Sequence, residues 1–231
     1  MPISRTYSFA FIHVRKTAGT SIVRVLETSD PQLYLNEKGL WDVLQVHPDR
    51  RRLLSLLREY YLVGSVDNFP QWHLPAMVVR QLIGQANWAK LFTFAFVRNP
   101  WDLVVSAYHF EKNYLAQPSV GRFERDRAEA LRRCHDFEEF VRLYPLLEPR
   151  DMTSMIVDEN NDLMVDYIGR FETLKSDFAH VCSTIGLPKI ELPHENVSPN
   201  RKEYRGYYSN DTRTLVAKYF ARDIRNFDYE F

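Results

Sequence analysis

The sequence predicts an α/β fold, with a central, mainly parallel sheet of about four to five strands flanked by helices. Two stretches carry this prediction, because each joins a buried-strand pattern to a helix pattern: 9–26 and 90–108. Near-continuous apolar runs of this kind are typical of parallel strands that are covered on both faces. The length of 231 residues and the hydrophobic content of 45% suit one α/β domain with a real core. We therefore expect a single domain over 1–231.

The first stretch contains a short polar turn between its strand and its helix. The strand pattern runs over 9–14, and apolar residues recur at helical spacing over 22–26. The change from strand to helix therefore falls across the turn between them. That turn contains Arg15, Lys16, Thr17, Ala18, Gly19, Thr20 and Ser21.

The chemistry of this turn suits an anion. The first N–H groups of a helix have no intrahelical partners, so a helix start offers donors and a positive dipole end. Gly19 permits close backbone approach, and Lys16 adds a charge. An ordinary corner, with a solvated Lys16 and a Thr20-Ser21 pair that caps the helix, is an equally open interpretation of these residues alone. The turn lacks the Gly-x-x-x-x-Gly-Lys-Ser/Thr pattern, so generic ATP binding is only weakly supported.

The next elements continue the alternation of strands and helices. A β-rich apolar run over 60–66 predicts a second central strand. A helix over 74–84 follows, with Pro75 in the first turn, where proline is tolerated. His73 stands just before this helix and beyond the strand, on the side where open α/β sheets bind ligands. On position alone, a surface or helix-capping histidine is the favoured interpretation.

The clearest strand pattern, over 90–97, leads directly into a further helix. Asn99 is a good helix N-cap and Pro100 a good first helical residue. Arg98 at the strand end offers a fork of two donors, and Ser106 offers a hydroxyl. Both side chains suit a phosphate group.

The remaining chain is mostly helical in pattern. The stretch 110–150 is heavily charged, which favours an exposed, ion-paired surface over one that faces a polyanion. An amphipathic helix that begins near 137 is expected to end at Pro145. A fourth strand over 165–171 precedes a helix that Gly186 stops. One final helix is expected over 209–227.

Composition limits the partners. Thirty Lys+Arg against thirty Asp+Glu give a formal net charge of zero, so no overall field attracts nucleic acid. Cys134 and Cys182 have no ligand spacing, and we expect reduced thiols and no metal. No apolar run approaches the length of a membrane span, and no signal peptide precedes the first strand. We therefore expect a soluble cytoplasmic protein.

Two motifs resemble those of a known family. His13-Val-Arg-Lys16-Thr-Ala-Gly19-Thr-Ser21 resembles the 5′-phosphosulfate loop of sulfotransferases, in particular the Golgi carbohydrate sulfotransferase group (sulfotransferase family 2) and its soluble bacterial relatives. Arg15 replaces the usual proline of His-x-Pro-Lys-Thr-Ala/Gly-Gly-Thr-Ser, which removes a φ restraint and adds a cation. The stretch 98–108 resembles the family's 3′-phosphate motif, Arg-Asn-Pro-Tyr/Trp-Asp-Arg-x-x-Ser-x-Tyr, with Leu103 where an arginine is common.

The resemblance implies a fold and a reaction. The fold would be a P-loop-like three-layer fold. The reaction would be sulfuryl transfer from 3′-phosphoadenosine 5′-phosphosulfate to a hydroxyl of a carbohydrate or a small-molecule alcohol, with 3′-phosphoadenosine 5′-phosphate as product and without a metal. Two alternatives remain open: a noncatalytic nucleotide-binding protein of the same fold, and a P-loop-type phosphotransferase, which would need ATP and Mg²⁺.

The resemblance also implies roles for individual residues. Lys16 and His73 would be catalytic, with His73 as the general base. A helical insertion at about 110–160 would contribute to acceptor recognition, and a bacterial source is expected. The donor would be bound by residues from the turn, from the second motif and from a polar loop near the chain's end: Arg15, Lys16, Thr17, Ala18, Gly19, Thr20, Ser21, Arg98, Ser106, Ser198 and Arg201.

Overall fold

The computed structural model describes most of the chain, in two compact units. The first unit comprises Met1–Val97 and Ser154–Glu195, and the second comprises Arg98–Thr153 and Asn196–Phe231. The expectation of a single domain stays a prediction. The described residues are 2–33, 51, 73–115, 129, 131–148, 150–188, 190–193 and 202–231.

Among the described residues, the sheet of the first unit has four strands in the order β1-β2-β3-β4. β2, β3 and β4 are parallel to one another, and β1 pairs antiparallel with β2. The predicted α/β class with a mainly parallel sheet is confirmed, and the strand predicted over 60–66 lies outside the described residues. The strands are β1 Ile3–Ser4, β2 Phe9–Ile12, β3 Phe92–Val97 and β4 Tyr167–Arg170.

The described residues include eight α-helices and two short 3-10 turns, Thr153–Met155 and Tyr204–Tyr207. No helix among them is long and apolar enough to cross a membrane. The cytoplasmic location expected above stays a prediction. The helices are α1 Gly19–Ser29, α2 Ala76–Ile83, α3 Gln85–Trp88, α4 Pro100–Leu115, α5 Phe137–Leu147, α6 Leu174–Ile185, α7 Asn210–Tyr219 and α8 Ala221–Phe227.

Two predicted helix boundaries are wrong. α5 passes through Pro145 to Leu147, and the Glu148 N–H closes its last turn on the Tyr144 carbonyl at 2.9 Å. The final helix is divided at Phe220, whose backbone (φ −96°, ψ 23°) departs from helical values. The Phe220 ring is fully buried, so the break in the helix coincides with a residue that packs into the core.

Phenylalanines of the two central strands form the core of the first unit. Phe11 and Phe94 stack with ring centroids 5.1 Å apart, and both are fully buried. α1 and α6 pack on this face of the sheet. Ala10 and Ile12, on the opposite face of β2, are fully buried as well. β2 is therefore covered on both faces, as its apolar pattern predicts.

A buried carboxylate organises part of the second unit. Asp223 of α8 accepts hydrogen bonds from the Met152 and Thr153 N–H groups at 2.8 and 2.7 Å, and from the Thr153 hydroxyl at 2.6 Å. Burial raises the pKa of Asp223 to about 6, against the opposite effect of these hydrogen bonds. The three donors tie the segment before the first 3-10 turn to α8.

Gly169 of β4 should not tolerate a larger side chain. A Cβ at this position would overlap the ring of Phe96, which is fully buried in the core, whereas a Cβ at Gly206 would meet nothing within 4 Å. We expect Gly169→Ala to lower the free energy of unfolding by about 1–3 kcal/mol. Gly206→Ala, the matched control, should leave it unchanged or slightly raised. Urea denaturation measures both, and equal stabilities of the two variants would contradict the packing argument.

Candidate active site

The turn after β2 is held by its own backbone. The Val14 N–H donates to the Ile12 carbonyl at 3.1 Å, and the Thr17 hydroxyl donates to the Val14 carbonyl at 2.9 Å. Thr17 is fully buried. This hydrogen bond lies within the turn and fixes the path of the backbone between β2 and α1.

Two residues of this turn adopt the left-handed conformation. Lys16 has φ 63° and Ala18 has φ 68°. Non-glycine residues in this region cost about 1–3 kcal/mol and concentrate at functional sites. Successive N–H groups in such alternating conformations form a concave nest that binds anions. The backbone therefore supports the anion-binding interpretation of the turn.

The start of α1 points to the same interpretation. Ala18 is the N-cap, and it makes no side-chain capping hydrogen bond. Thr20 and Ser21 lie inside the helix, so the alternative in which this pair caps the helix is wrong. The N-cap side chain therefore does not occupy the first-turn N–H groups of α1, which agrees with an anion site at this helix start.

His73 lies directly against the end of β2. Its Nδ1 is 2.9 Å from the His13 carbonyl oxygen, and the two imidazole ring centroids are 4.3 Å apart. Because a carbonyl oxygen can only accept, Nδ1 of His73 carries the hydrogen and the neutral ring has its lone pair on Nε2. The predicted base and the predicted anion turn are therefore brought together in one unit.

Both histidines are held in the neutral form. Burial lowers the pKa of His73 to about 3, and the positive charge of Arg15 adds to this effect. Burial also lowers the pKa of His13 well below its usual value, helped by repulsion from His73 and from Arg15. A neutral imidazole can accept a proton. An anion bound beside Arg15 and Lys16 would offset their charge and raise the pKa of His73.

His13 has a structural role that sequence reasoning missed. Its ring stacks on Phe11 with centroids 5.5 Å apart, and only 8% of the residue is exposed. A Cβ added at Gly19 would overlap this ring, so the glycine is required for close approach of α1. The available signal was the spacing, because His13 follows Phe11 by two positions and so shares its face of the strand.

The second motif begins the second unit. Arg98 is almost fully buried, and its Nε and Nη2 atoms both lie 2.7 Å from Oδ2 of Asp102, one helical turn along α4. Ser106 is one turn further and partly exposed. The helical spacing places Asp102 and Ser106 on one face of α4, and the ion pair brings the Arg98 guanidinium to Asp102. Asp102 as the partner of Arg98 was not predicted, although the i, i+4 spacing was a signal for it.

The start of α4 forms as predicted. The Asn99 Oδ1 accepts from the Trp101 N–H at 3.1 Å, so Asn99 is the helix cap. Leu103, which stands where the family commonly has an arginine, is buried. Its side chain therefore belongs to the packing of the second unit. Ser198 and Arg201 lie outside the described residues.

The described residues contain no group of three or more histidine, cysteine or carboxylate side chains that could hold a metal ion. Both cysteines are free thiols, and Cys182 is buried in the core of the first unit. The turn of the first unit carries the cationic residues Arg15 and Lys16, and the second motif, in the second unit, carries Arg98.

The family model described as "Sulfotransferase family" matches residues 1–230. The chain belongs to the sulfotransferase family, and the resemblance of its two motifs is confirmed. It is also 32% identical over 119 residues to an uncharacterized protein of Archaeoglobus fulgidus, a match that spans 50% of this chain and 85% of that protein.

Three solved structures resemble the fold weakly. Mouse sulfotransferase SULT7A1 complexed with PAP covers 97% of this chain and 87% of its own, at 13% identity and a TM-score of 0.49. Retinol dehydratase in complex with androsterone and inactive cofactor PAP covers 99% and 84%, at 13% identity and a TM-score of 0.42. A sulfotransferase from Alicyclobacillus acidocaldarius covers 96% and 94%, at 15% identity and a TM-score of 0.38. The family assignment rests on the sequence match.

The lowered pKa of His73 predicts a pH dependence of stability. In the unfolded chain, His73 has its ordinary pKa of 6.5 and binds a proton below that pH. In the folded chain its pKa is about 3, so between pH 6.5 and pH 3 only the unfolded chain gains this proton. Lowering the pH from 7 to 5 should therefore reduce the free energy of unfolding by about 1–2 kcal/mol relative to His73→Gln. Burial, the main cause of the lowered pKa of His13, is common to both proteins, so most of the His13 contribution cancels in this comparison. Urea titrations at the two pH values measure the difference, and a pH-independent difference would show that His73 is not held neutral.

Proposed function

We propose that the protein transfers a sulfuryl group from 3′-phosphoadenosine 5′-phosphosulfate to a hydroxyl group of a carbohydrate or a small-molecule alcohol. The observation that carries this proposal is the contact of His73 with the end of β2, directly before the anion-binding turn. Family membership supports sulfuryl transfer in general. The geometry of the first unit supports a base and an anion site next to each other.

In the proposed step, the acceptor oxygen attacks the sulfur of the donor. The new bond joins the acceptor oxygen to sulfur, and the bond between sulfur and the bridging phosphate oxygen breaks. The acceptor proton passes to Nε2 of His73, whose Nδ1–H is held by the His13 carbonyl. The bridging oxygen leaves as part of the 5′-phosphate, on which negative charge increases during the step.

The turn would stabilise that increasing charge. Lys16 supplies a cation, and the uncapped first turn of α1 supplies N–H donors and a positive dipole end. Arg15 adds a second cation, whose charge helps to lower the pKa of His73. The same anionic donor that binds at the turn would therefore raise the pKa of His73 towards the neutral range in which a general base is effective.

Arg98 and Ser106 are proposed to bind the 3′-phosphate. A guanidinium beside a carboxylate has a fixed orientation, and the ion pair with Asp102 gives Arg98 such an orientation. Ser106 adds a hydroxyl on the same face of α4. Ser198 and Arg201 are proposed as further donor contacts, and the insertion at about 110–160 as the acceptor-recognition segment, on the family resemblance alone. The single domain over 1–231 is proposed on the same ground.

The two rival functions differ in the ligand that they require. A phosphotransferase of the P-loop type needs ATP with Mg²⁺ and the Gly-Lys-Ser/Thr loop, which this sequence lacks. A noncatalytic relative would bind the nucleotide without turnover. Binding and turnover therefore have to be measured separately.

Nucleotide binding should depend on the 3′-phosphate. Thermal unfolding should shift upward with 3′-phosphoadenosine 5′-phosphate, less with adenosine 5′-phosphate, and not specifically with ATP and Mg²⁺. Ser106→Ala should reduce the advantage of the 3′-phosphorylated nucleotide, since one hydrogen bond to a charged group contributes about 1.5–3 kcal/mol. Ser183→Ala, on the exposed surface of α6, is the matched control. A larger shift with ATP and Mg²⁺ would favour the phosphotransferase instead.

Lys16 and His73 should be required for turnover. With labelled donor and a panel of sugars, phenols and small alcohols, Lys16→Ala should lower kcat by about 10²–10³-fold, the usual effect of one lost oxyanion donor. His73→Ala should remove most transfer while binding of 3′-phosphoadenosine 5′-phosphate changes little. Lys175→Ala and His180→Ala, both exposed on α6, are the controls. Binding without turnover in the wild type would support the noncatalytic alternative.

A further inference from the structure

We propose that His13 is a positioning residue, whose ring holds the His73 ring in the place and the tautomer that direct Nε2 towards the acceptor. This inference rests on the proposed function, because it assigns the role of base to His73. The structural part of the inference, a ring that fixes another ring, is testable without turnover.

The His13 ring continues a series of stacked rings that begins in the core. Phe94 stacks on Phe11 at 5.1 Å between centroids, Phe11 on His13 at 5.5 Å, and His13 meets His73 at 4.3 Å. The two phenylalanines belong to paired central strands and are fully buried. The position of the His73 ring is thereby coupled to the buried core of the first unit.

α1 confines the His13 ring from another direction. A Cβ at Gly19 would overlap the ring, so the backbone of the first helical residue packs against the imidazole itself. The ring is thus confined between Phe11, Gly19 and His73, and it cannot rotate without moving one of them. The same ring therefore contacts both parts of the candidate site, the start of α1 and the base.

The proposed role of the His13 ring depends on its shape, not on Nδ1. Its Nδ1 is buried and has no hydrogen-bond partner within the described structure. A buried polar atom without a partner is unfavourable, and a phenyl ring, which is flat and larger by one ring atom, avoids that penalty. We therefore expect His13→Phe to preserve the position of His73. His13→Leu and His13→Ala should not preserve it, because they lack a flat ring.

Loss of the ring should release His73 in a defined way. The His73 Nδ1–H donates to the backbone carbonyl of residue 13, which survives every substitution there. Without the neighbouring ring, water can reach His73 and compete for this hydrogen bond, so both neutral tautomers become populated. Water access should also raise the pKa of His73, because burial is the main cause that lowers it, ahead of the charges of Arg15 and Lys16.

The first experiment reads the tautomer by long-range ¹H–¹⁵N NMR of the full chain. His73→Gln identifies the His73 signals among the seven histidines. The wild type and His13→Phe should show the Nδ1–H tautomer of His73, whereas His13→Ala should show a mixture. His13→Leu serves if His13→Ala does not fold. An unchanged tautomer in the folded variant that lacks the ring overturns the proposal, whether or not the protein has sulfotransferase activity.

The second experiment uses kinetics with an acceptor found by the donor-label screen. His13→Ala, or His13→Leu in its place, should lower kcat at least about tenfold, since misplacement by about 1 Å can cost about 100-fold. The KM for donor should change much less, and the acid limb of the pH profile should move to higher pH. His13→Phe should keep kcat within about threefold of the wild type. Equal loss of kcat in His13→Phe and His13→Ala overturns the proposal, because a nitrogen of His13 would then take part in the chemistry.

The two proposals fail differently. If the wild type binds no 3′-phosphorylated nucleotide and transfers no sulfuryl group, the proposed function fails, while the tautomer measurement still decides the positioning role. If the wild type is active and every folded His13 variant matches it in tautomer and in kcat, the positioning role alone is overturned.

Discussion

The contact of the His13 ring with Gly19 and His73 is the interaction on which the candidate site depends. It occurs at the point where β2 ends and the polar turn begins, so one residue belongs both to the core and to the site. The neighbouring phenylalanine stack gives this residue a rigid support. A change of volume at Gly19 would therefore affect both the turn after β2 and His73, since close-packed interiors transmit displacement rather than absorb it.

The positive charge around the turn of the first unit favours the binding of an anion. Arg15 and Lys16 add positive charge to a place where two buried histidines are already disfavoured as cations. Each cation lowers the proton affinity of His73, and a bound anion would reverse this effect. Donor binding and activation of the base are thus linked in the proposed mechanism through charge alone, without a change of backbone conformation.

The cation of the second motif, Arg98, has a different environment from the cations of the turn. Arg98 is buried, and its charge is compensated by Asp102 of α4. A buried guanidinium requires such a partner, because an uncompensated charge away from water is very costly. The pair also restricts the orientation of the guanidinium. A flexible arginine on the surface would have no such restriction. Asp223, which receives three donors from one segment, restricts the 152–153 backbone in a comparable way.

Local pattern in the sequence was enough for the α/β class, for the strands around Phe11 and Phe94, for the cap at Asn99 and for the family. These features depend on neighbours along the chain, namely apolar periodicity, caps and motif spacing. The same reasoning placed the end of α5 wrongly at Pro145, which the helix passes through, and missed the break at Phe220, whose ring is fully buried. Only the tertiary structure decided that His73 meets His13, that both rings are neutral, and that Gly19 is needed for the contact. Those outcomes depend on burial and on distances between residues far apart in the chain, which no local pattern encodes.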